Sequence, residues 1–188
     1  MWKNLLLLLL LLAFCTAGCQ KQYVEKTSGA AYQVVDSQGT VIKFAQKPQR
    51  IMTTHFNLDN IVMGLVDEER VVALSKSMYD ASVSYISTEA IKKPTKLNYD
   101  FSSEQVLALK PDLIIAREST GENRIQTYRA MGIPVYVVSN ANNVEEIKKQ
   151  IQEIGQAVGE SERAEKLQQR MQTQLEYCLL YTSPSPRD

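Results

Sequence analysis

The chain has 188 residues, with 21 Lys and Arg against 21 Asp and Glu and a single His. This balance argues against nucleic acid or a strongly charged partner. Its three cysteines, Cys15, Cys19 and Cys178, all fall in end segments, which leaves neither a disulfide framework nor a thiolate metal site in the body of the chain.

Residues 1–18 carry one basic residue, Lys3, then the apolar run Leu5 to Phe14, then Thr16-Ala17-Gly18 ahead of Cys19. The run is shorter than the roughly 20 apolar residues of a membrane span, and it has the form of a secretory signal. Ala-Gly-Cys resembles a bacterial lipobox, in which the Cys is lipidated and becomes the mature N-terminus; Thr16 departs from the Leu preferred there. Lipidation is therefore expected at Cys19, with residues 19–31 as a polar tether. At the other end, CLLYTSPSPRD (Cys178 to Asp188) has nothing in common with the helical pattern before it. It resembles the translation of a sequencing-library transposase adapter. Residues 178–188 are thus expected to be foreign to the fold, and the natural chain to continue past Tyr177.

Between these ends, Tyr32 to Val35 and Thr40 to Phe44 are short β-type runs around Asp-Ser-Gln-Gly, a hairpin signal. Ile51 to Thr54 follows as a first core strand. Asn57 is placed to cap a helix whose apolar positions Leu58, Ile61, Val62 and Leu65 recur at helical spacing. Val71 to Leu74 is a second core strand. Ser75 to Lys96 has little periodicity, although Ile86 and Ile91 suggest one short helix. Ser102 to Gln105 fits a capping box opening a helix from Ser103 to Leu109, with Val106, Leu107 and Leu109 on its apolar side. Pro111 cannot continue that helix. The apolar run Leu113 to Ala116 then suits a parallel strand covered on both faces. A helix from Asn123 to Met131, closed by Gly132, leads to strand Val135 to Val138. A second capping box, Asn143 to Glu146, opens a helix running through Ile147, Ile151 and Ile154 toward Gly159. Ser161 is placed to cap a last helix with Ala164, Leu167, Met171 and Leu175 on one face. Strands alternating with helices imply β-α-β units and a parallel sheet, an α/β fold.

The stretch ALKPDLIIA, Ala108 to Ala116, with Glu104 ahead of it, resembles a signature of iron-siderophore and cobalamin substrate-binding proteins of ABC importers. Pro48-x-Arg50-Ile51, the Met-Gly-Ile-Pro run from Met131, and the spacing of Gly155, Gly159, Ala164 and Glu165 extend the resemblance from Tyr32 to Tyr177. That family implies two α/β lobes facing each other across a cleft and joined by one long helix. Residues 32–158 would then be a Rossmann-like, parallel-sheet N-terminal lobe and 159–177 the start of the interlobe helix, with the second lobe absent and Leu167, Met171 and Leu175 left exposed. The resemblance further implies an extracytoplasmic, lipid-anchored, monomeric protein. It would bind an iron-siderophore, haem or a corrinoid and deliver it to a permease/ATPase complex, with no cofactor and no catalytic role of its own. A bare-metal receptor and a chelatase-type enzyme on the same lobe are the alternatives.

Open parallel sheets bind ligands beyond the carboxyl ends of their strands. The candidates there are Thr54 and His55, Met78 and Tyr79, Tyr99, and Arg117. His55 either touches the ligand or iron, or bonds to backbone at a helix start. Met78 and Tyr79 either ligate iron, a thioether suiting haem and a phenolate ferric ion, or provide apolar lining. Tyr99 either stacks on a planar chelate or packs on the lobe. Arg117 can fork onto a ligand carboxylate or phosphate, or pair with Glu118 or Glu122 at the surface. By the resemblance, Glu104 docks onto an arginine of the permease; alone, it is an acid favourably placed in a first helical turn. No metal site of His, Cys or carboxylates is expected, and no Gly-x-Gly-x-x-Gly, Gly-x-Ser-x-Gly or Walker A motif is present.

Overall fold

The computed structural model describes residues 31–84, 94–98 and 101–182. The signal segment, Cys19, Tyr99 and the short helix expected near Ile86 and Ile91 lie outside those residues. Strands β1 (Tyr32–Val35) and β2 (Val41–Phe44) form an antiparallel hairpin. Then come β3 (Ile51–Thr53), helix α1 (Phe56–Leu65), β4 (Ala73–Ser75), β5 (Thr95–Leu97), α2 (Ser103–Leu109) and β6 (Leu113–Arg117). Helix α3 (Glu122–Ala130), β7 (Val135–Val138), α4 (Val144–Val158) and α5 (Ser161–Thr182) complete the order. Strands β3, β6 and β7 pair in parallel, as do β4 and β5. A parallel bridge from Ile51 to Val71 joins the two groups, so that the strands lie in the order β5-β4-β3-β6-β7.

The central strands carry unbroken apolar runs, Ile51-Met52, Leu113 to Ala116 and Val135 to Val138, because both faces are covered. Side chains alternate across a sheet. Met52, Ile114, Ala116, Val135 and Val137 face α2 and α3 through Val106, Ile125 and Tyr128. Ile51, Leu113, Ile115, Tyr136 and Val138 face α1, α4 and Ala164 of α5. Fully burying each such aliphatic residue contributes about 1.5–3 kcal/mol.

The sequence signature is structural at its centre. Lys110, with φ 47°, ends α2 in the left-handed region just before Pro111. Arg50 donates from Nε to the Lys110 carbonyl at 2.8 Å and from Nη2 to the Leu109 carbonyl at 2.5 Å, satisfying carbonyls that a helix end leaves open. Asp112 returns the contact, its two oxygens accepting the backbone N–H groups of Gln49 and Arg50 at 2.8 Å each. The Pro-x-Arg and Lys-Pro-Asp segments therefore lock the starts of β3 and β6 together.

Local chemistry explains most boundaries. The first capping box is complete, Ser102 accepting from Gln105 N and Gln105 Oε1 from Ser102 N. In the second, Asn143 Oδ1 accepts from Glu146 N at 2.9 Å, but the Glu146 carboxylate reaches Asn142 N instead of the cap residue.

Several expectations are corrected. His55, not Asn57, caps α1, its Nδ1 accepting the Asn57 N–H at 3.2 Å. Strand β4 is shifted to Ala73–Ser75, with Val71 left in the bridge, and the stretch of little periodicity ends in a strand, β5. Leu107 is 49% exposed, because only Val106 and Leu109 of that helix reach the core. Ser161 is the first helical residue of α5, not a cap outside it, and the helix continues past Tyr177 to Thr182. Leu167 and Met171 are partly buried against the core, with Leu167 Cδ atoms over Gly64, and Leu175 is half-buried. Crossing α1 and α4 covers the face that would otherwise be open. No helix among the described residues is long and apolar enough to cross a membrane.

Candidate functional site

The chain winds from β3 to β4 and β5 on one side, then returns to β6 and β7 on the other. The turns leaving β3 and β6 consequently diverge to opposite faces of the sheet, which opens a crevice at their carboxyl ends. Ligands of open α/β sheets bind at such a switch point.

Three of the expected residues meet there. Thr54 follows β3, and its Oγ1 lies 2.7 Å from Oγ1 of Thr120, on the turn after β6. Arg117 ends β6 with Nη1 3.1 Å from His55 Nε2 and 3.4 Å from Nδ1, and Nε donating to Asn140 Oδ1 at 3.1 Å. Burial, and then the Arg117 charge, hold the His55 imidazole below its usual titration, so it is neutral at pH 7. Neither expected acid takes Arg117: Glu118 accepts from Ser139 Oγ, and Glu122 accepts from Gln38 and Gln126. Among the described residues no carboxylate pairs with this guanidinium, whose fork can therefore receive an anionic group. Arg117 also lines an apolar groove of about 1130 Å³, together with Phe56, Ile61, Ile147, Met171 and Leu175.

Tyr79 lies elsewhere. It lines a separate open groove of about 790 Å³ with Lys76, Asp80, Lys96 and Asn98. Its hydroxyl donates to the Pro94 carbonyl at 2.8 Å, and Lys96 Nζ sits 4.1 Å from the ring centroid. Burial pushes the phenol up, followed by the nearby Glu68 and Asp59 charges; a phenol so held is a poor source of phenolate. Met78 is fully buried in the core, with Ser84 Oγ 4.0 Å from its sulfur. It reaches no ligand surface, a correction that follows from the turn after β4 folding inward as a single 3-10 turn, Lys76–Tyr79. Glu104 is exposed on the first turn of α2, its carboxyl held below the usual range by the Ser102 hydroxyl and its own backbone N–H.

One residue was not anticipated. Asp59 is 1% exposed and faces inward from α1 between Leu58 and Ile61. Its Oδ1 accepts from Thr53 Oγ1 at 2.6 Å and its Oδ2 from Ser75 N at 2.9 Å. Desolvation outweighs these bonds and pushes its carboxyl up to about 6. The available signal was an acid one place after the first apolar position of an amphipathic helix, where helical spacing turns it toward the core. Among the described residues no three His, Cys, Asp or Glu side chains converge as a metal site.

Against known proteins, the chain is 27% identical over 181 residues to an uncharacterized ABC transporter substrate-binding lipoprotein, YvrC, of Bacillus subtilis (strain 168), covering 93% of this chain and 55% of that protein. It is 23% identical over 141 residues to a cobalamin-binding protein of Halobacterium salinarum (strain ATCC 29341 / DSM 671 / R1), covering 73% of this chain and 37% of that one. A solved structure of a possible iron-binding (periplasmic solute-binding) protein from Staphylococcus epidermidis ATCC 12228 shares the fold. Its TM-score is 0.65 at 20% identity, over 76% of this chain and 55% of that chain. The chain thus spans about half or less of the length of these relatives. A profile of the periplasmic binding proteins matches residues 51–178, and with the parallel sheet and its switch-point crevice now in place, the chain belongs to the periplasmic binding protein family.

Proposed function

We propose that the chain forms the N-terminal lobe of an extracytoplasmic substrate-binding lipoprotein of an ABC importer, anchored through Cys19. It captures an iron-siderophore, haem or a corrinoid as a monomer and hands it to a permease/ATPase complex. The observation that carries this reading is Arg117 at the switch point, without a carboxylate partner among the described residues and held beside a neutral His55. Such a pair suits the acidic or metal-bound periphery of a chelate better than a bare cation. A bare-metal receptor needs several His and carboxylates converging on the ion. The family match and the names of the relatives support the transport reading.

In this account Thr54, His55 and Arg117 contact the ligand, the apolar groove beside Arg117 accepts its bulk, and a second lobe closes over it. Exposed, ionised Glu104 steers docking to a basic group on the permease. The test is titration of the full-length protein with ferric citrate, haemin and cyanocobalamin, followed by visible absorbance and tyrosine fluorescence. Saturable binding without turnover is expected; chemical conversion of a tetrapyrrole would favour a chelatase-type enzyme instead.

A further inference from the structure

Beneath the crevice one hydroxyl hydrogen has two acceptors. Thr53 Oγ1 lies 2.6 Å from Asp59 Oδ1 and 3.1 Å from the carbonyl oxygen of His55, and it donates to one of them at a time. The other carboxylate oxygen of Asp59 accepts the Ser75 N–H, and the Ser75 hydroxyl bonds to the same carboxylate. Strands β3 and β4 meet through a bridge only at their other end, Ile51 to Val71. At their tips Asp59 takes the place of ladder bonds, and the gap lined by Thr53, Thr54, His55 and Ser75 is closed to about 10 Å³.

The titratable and charged groups around Asp59 are few. His55 stands on the turn entering the same helix, under Arg117; Tyr79 stands on the turn after β4; and Glu68 acts on Tyr79 from the turn after α1. None of these donates to Asp59 in the bonds given above. The carboxylate is held by neutral donors alone, an arrangement that costs stability when it is ionised. A costly buried acid joining two site loops is a mark of function more than of folding.

We propose that Asp59 and Thr53 are positioning residues of the cleft: ionised Asp59 draws the Thr53 proton to itself, and protonated Asp59 releases it to the His55 carbonyl. Asp59 then donates its own proton to Thr53 Oγ1, so every donor keeps an acceptor. The turn carrying Thr54 and His55 holds its ligand-ready arrangement only with Asp59 ionised, and ligand affinity falls on acidification. This rests on the strand-tip reading of the cleft above.

Two readouts separate the relay from that reading. The first is the backbone carbonyl carbon resonance of residue 55 in full-length protein carrying His55→Asn, which removes imidazole titration and keeps a capping side chain. It should titrate together with the Ser75 amide; Thr53→Val should abolish the response at residue 55 while sparing Ser75, and Asp59→Asn should abolish both. A carbonyl response surviving in Thr53→Val, or no shared titration, overturns the relay. The second uses haemin, ferric citrate and cyanocobalamin. Between roughly pH 7.5 and 5 the bound probe should weaken about tenfold more in wild type than in Asp59→Asn, the His55 titration being common to both. At pH 7 Asp59→Asn should bind about tenfold more weakly than wild type without a lower Tm. Unchanged binding, or affinity and Tm falling together, overturns the positioning role. If no probe binds at any pH, the cleft reading fails and the carbonyl resonance still decides the relay.

Discussion

Gly155 of α4 and Ala164 of α5 face each other so closely that a methyl built on Gly155 would overlap the Ala164 Cβ. The two helices meet at a sharp turn in which Gly159, at φ 74°, ends α4 and Glu160 N donates to the Gly155 carbonyl at 2.7 Å. The Gly-x-x-x-Gly spacing is therefore a packing requirement. Gly155→Ala should destabilise the fold by about 1–3 kcal/mol, although Ala is the better helix former by about 1 kcal/mol. Adding Ala164→Gly should restore part of the loss, as measured by urea unfolding.

Arg50 and Asp112 bind each other's segments through four bonds to backbone. Asp112→Ala should cost about 1–3 kcal/mol by leaving two amides without their acceptor. Arg50→Lys should recover little of an Arg50→Ala loss, since one ammonium cannot span the Leu109 and Lys110 carbonyls as the planar fork does. Thermal midpoints of the three variants check both statements.

Asp59 gives a stability dependence of definite sign. Its folded-state value is raised from 3.8 to about 6, so folding favours the protonated acid. That contribution is complete below the unfolded value and is lost as pH rises through about 6, on the order of 3 kcal/mol in all. Asp59→Asn should remove this fall between those two values, read from chemical unfolding at a series of pH values.

At the site, Arg117→Ala should weaken ligand binding by the full-length protein at least tenfold, with little effect on Tm. His55→Ala should lower both, since the ring also caps α1, a cap being worth about 1 kcal/mol. Isothermal titration with the probe that binds, alongside thermal melts, distinguishes the two.

The 188-residue chain should not reach submicromolar affinity for any of these chelates. In the two-lobe arrangement proposed above, one wall alone cannot cover the roughly 70–90% of a ligand's surface that tight sites bury. Equilibrium dialysis of the purified chain against haemin, ferric citrate and cyanocobalamin checks this.

Much of this was legible along the chain because it is written locally. The capping box at Ser102 and Gln105, the stop at Lys110-Pro111 and the apolar runs of β6 and β7 each depend on neighbours within a few residues. Thr54, His55 and Arg117 were placed at strand tips on the same basis, and the fold brings them together. Met78 and Tyr79 could not be sorted: both follow β4, and only the inward fold of one short turn sends the thioether into the core and leaves the phenol beside a separate groove. His55 was met as a candidate ligand contact or a residue bonded to backbone. The structure gives it the backbone bond of a helix cap and also sets it against Arg117.

By itself the amino-acid order determined the α/β alternation, the helix ends and the covering of the sheet on both faces, since apolar period and capping chemistry act at short range. The tertiary structure alone decided that Asp59 would be buried under two strand tips, that Arg117 would lack a carboxylate partner among the described residues, and that α5 would lie along α1 and α4. Each of these turns on desolvation and on contacts between residues distant in sequence, which no local pattern carries.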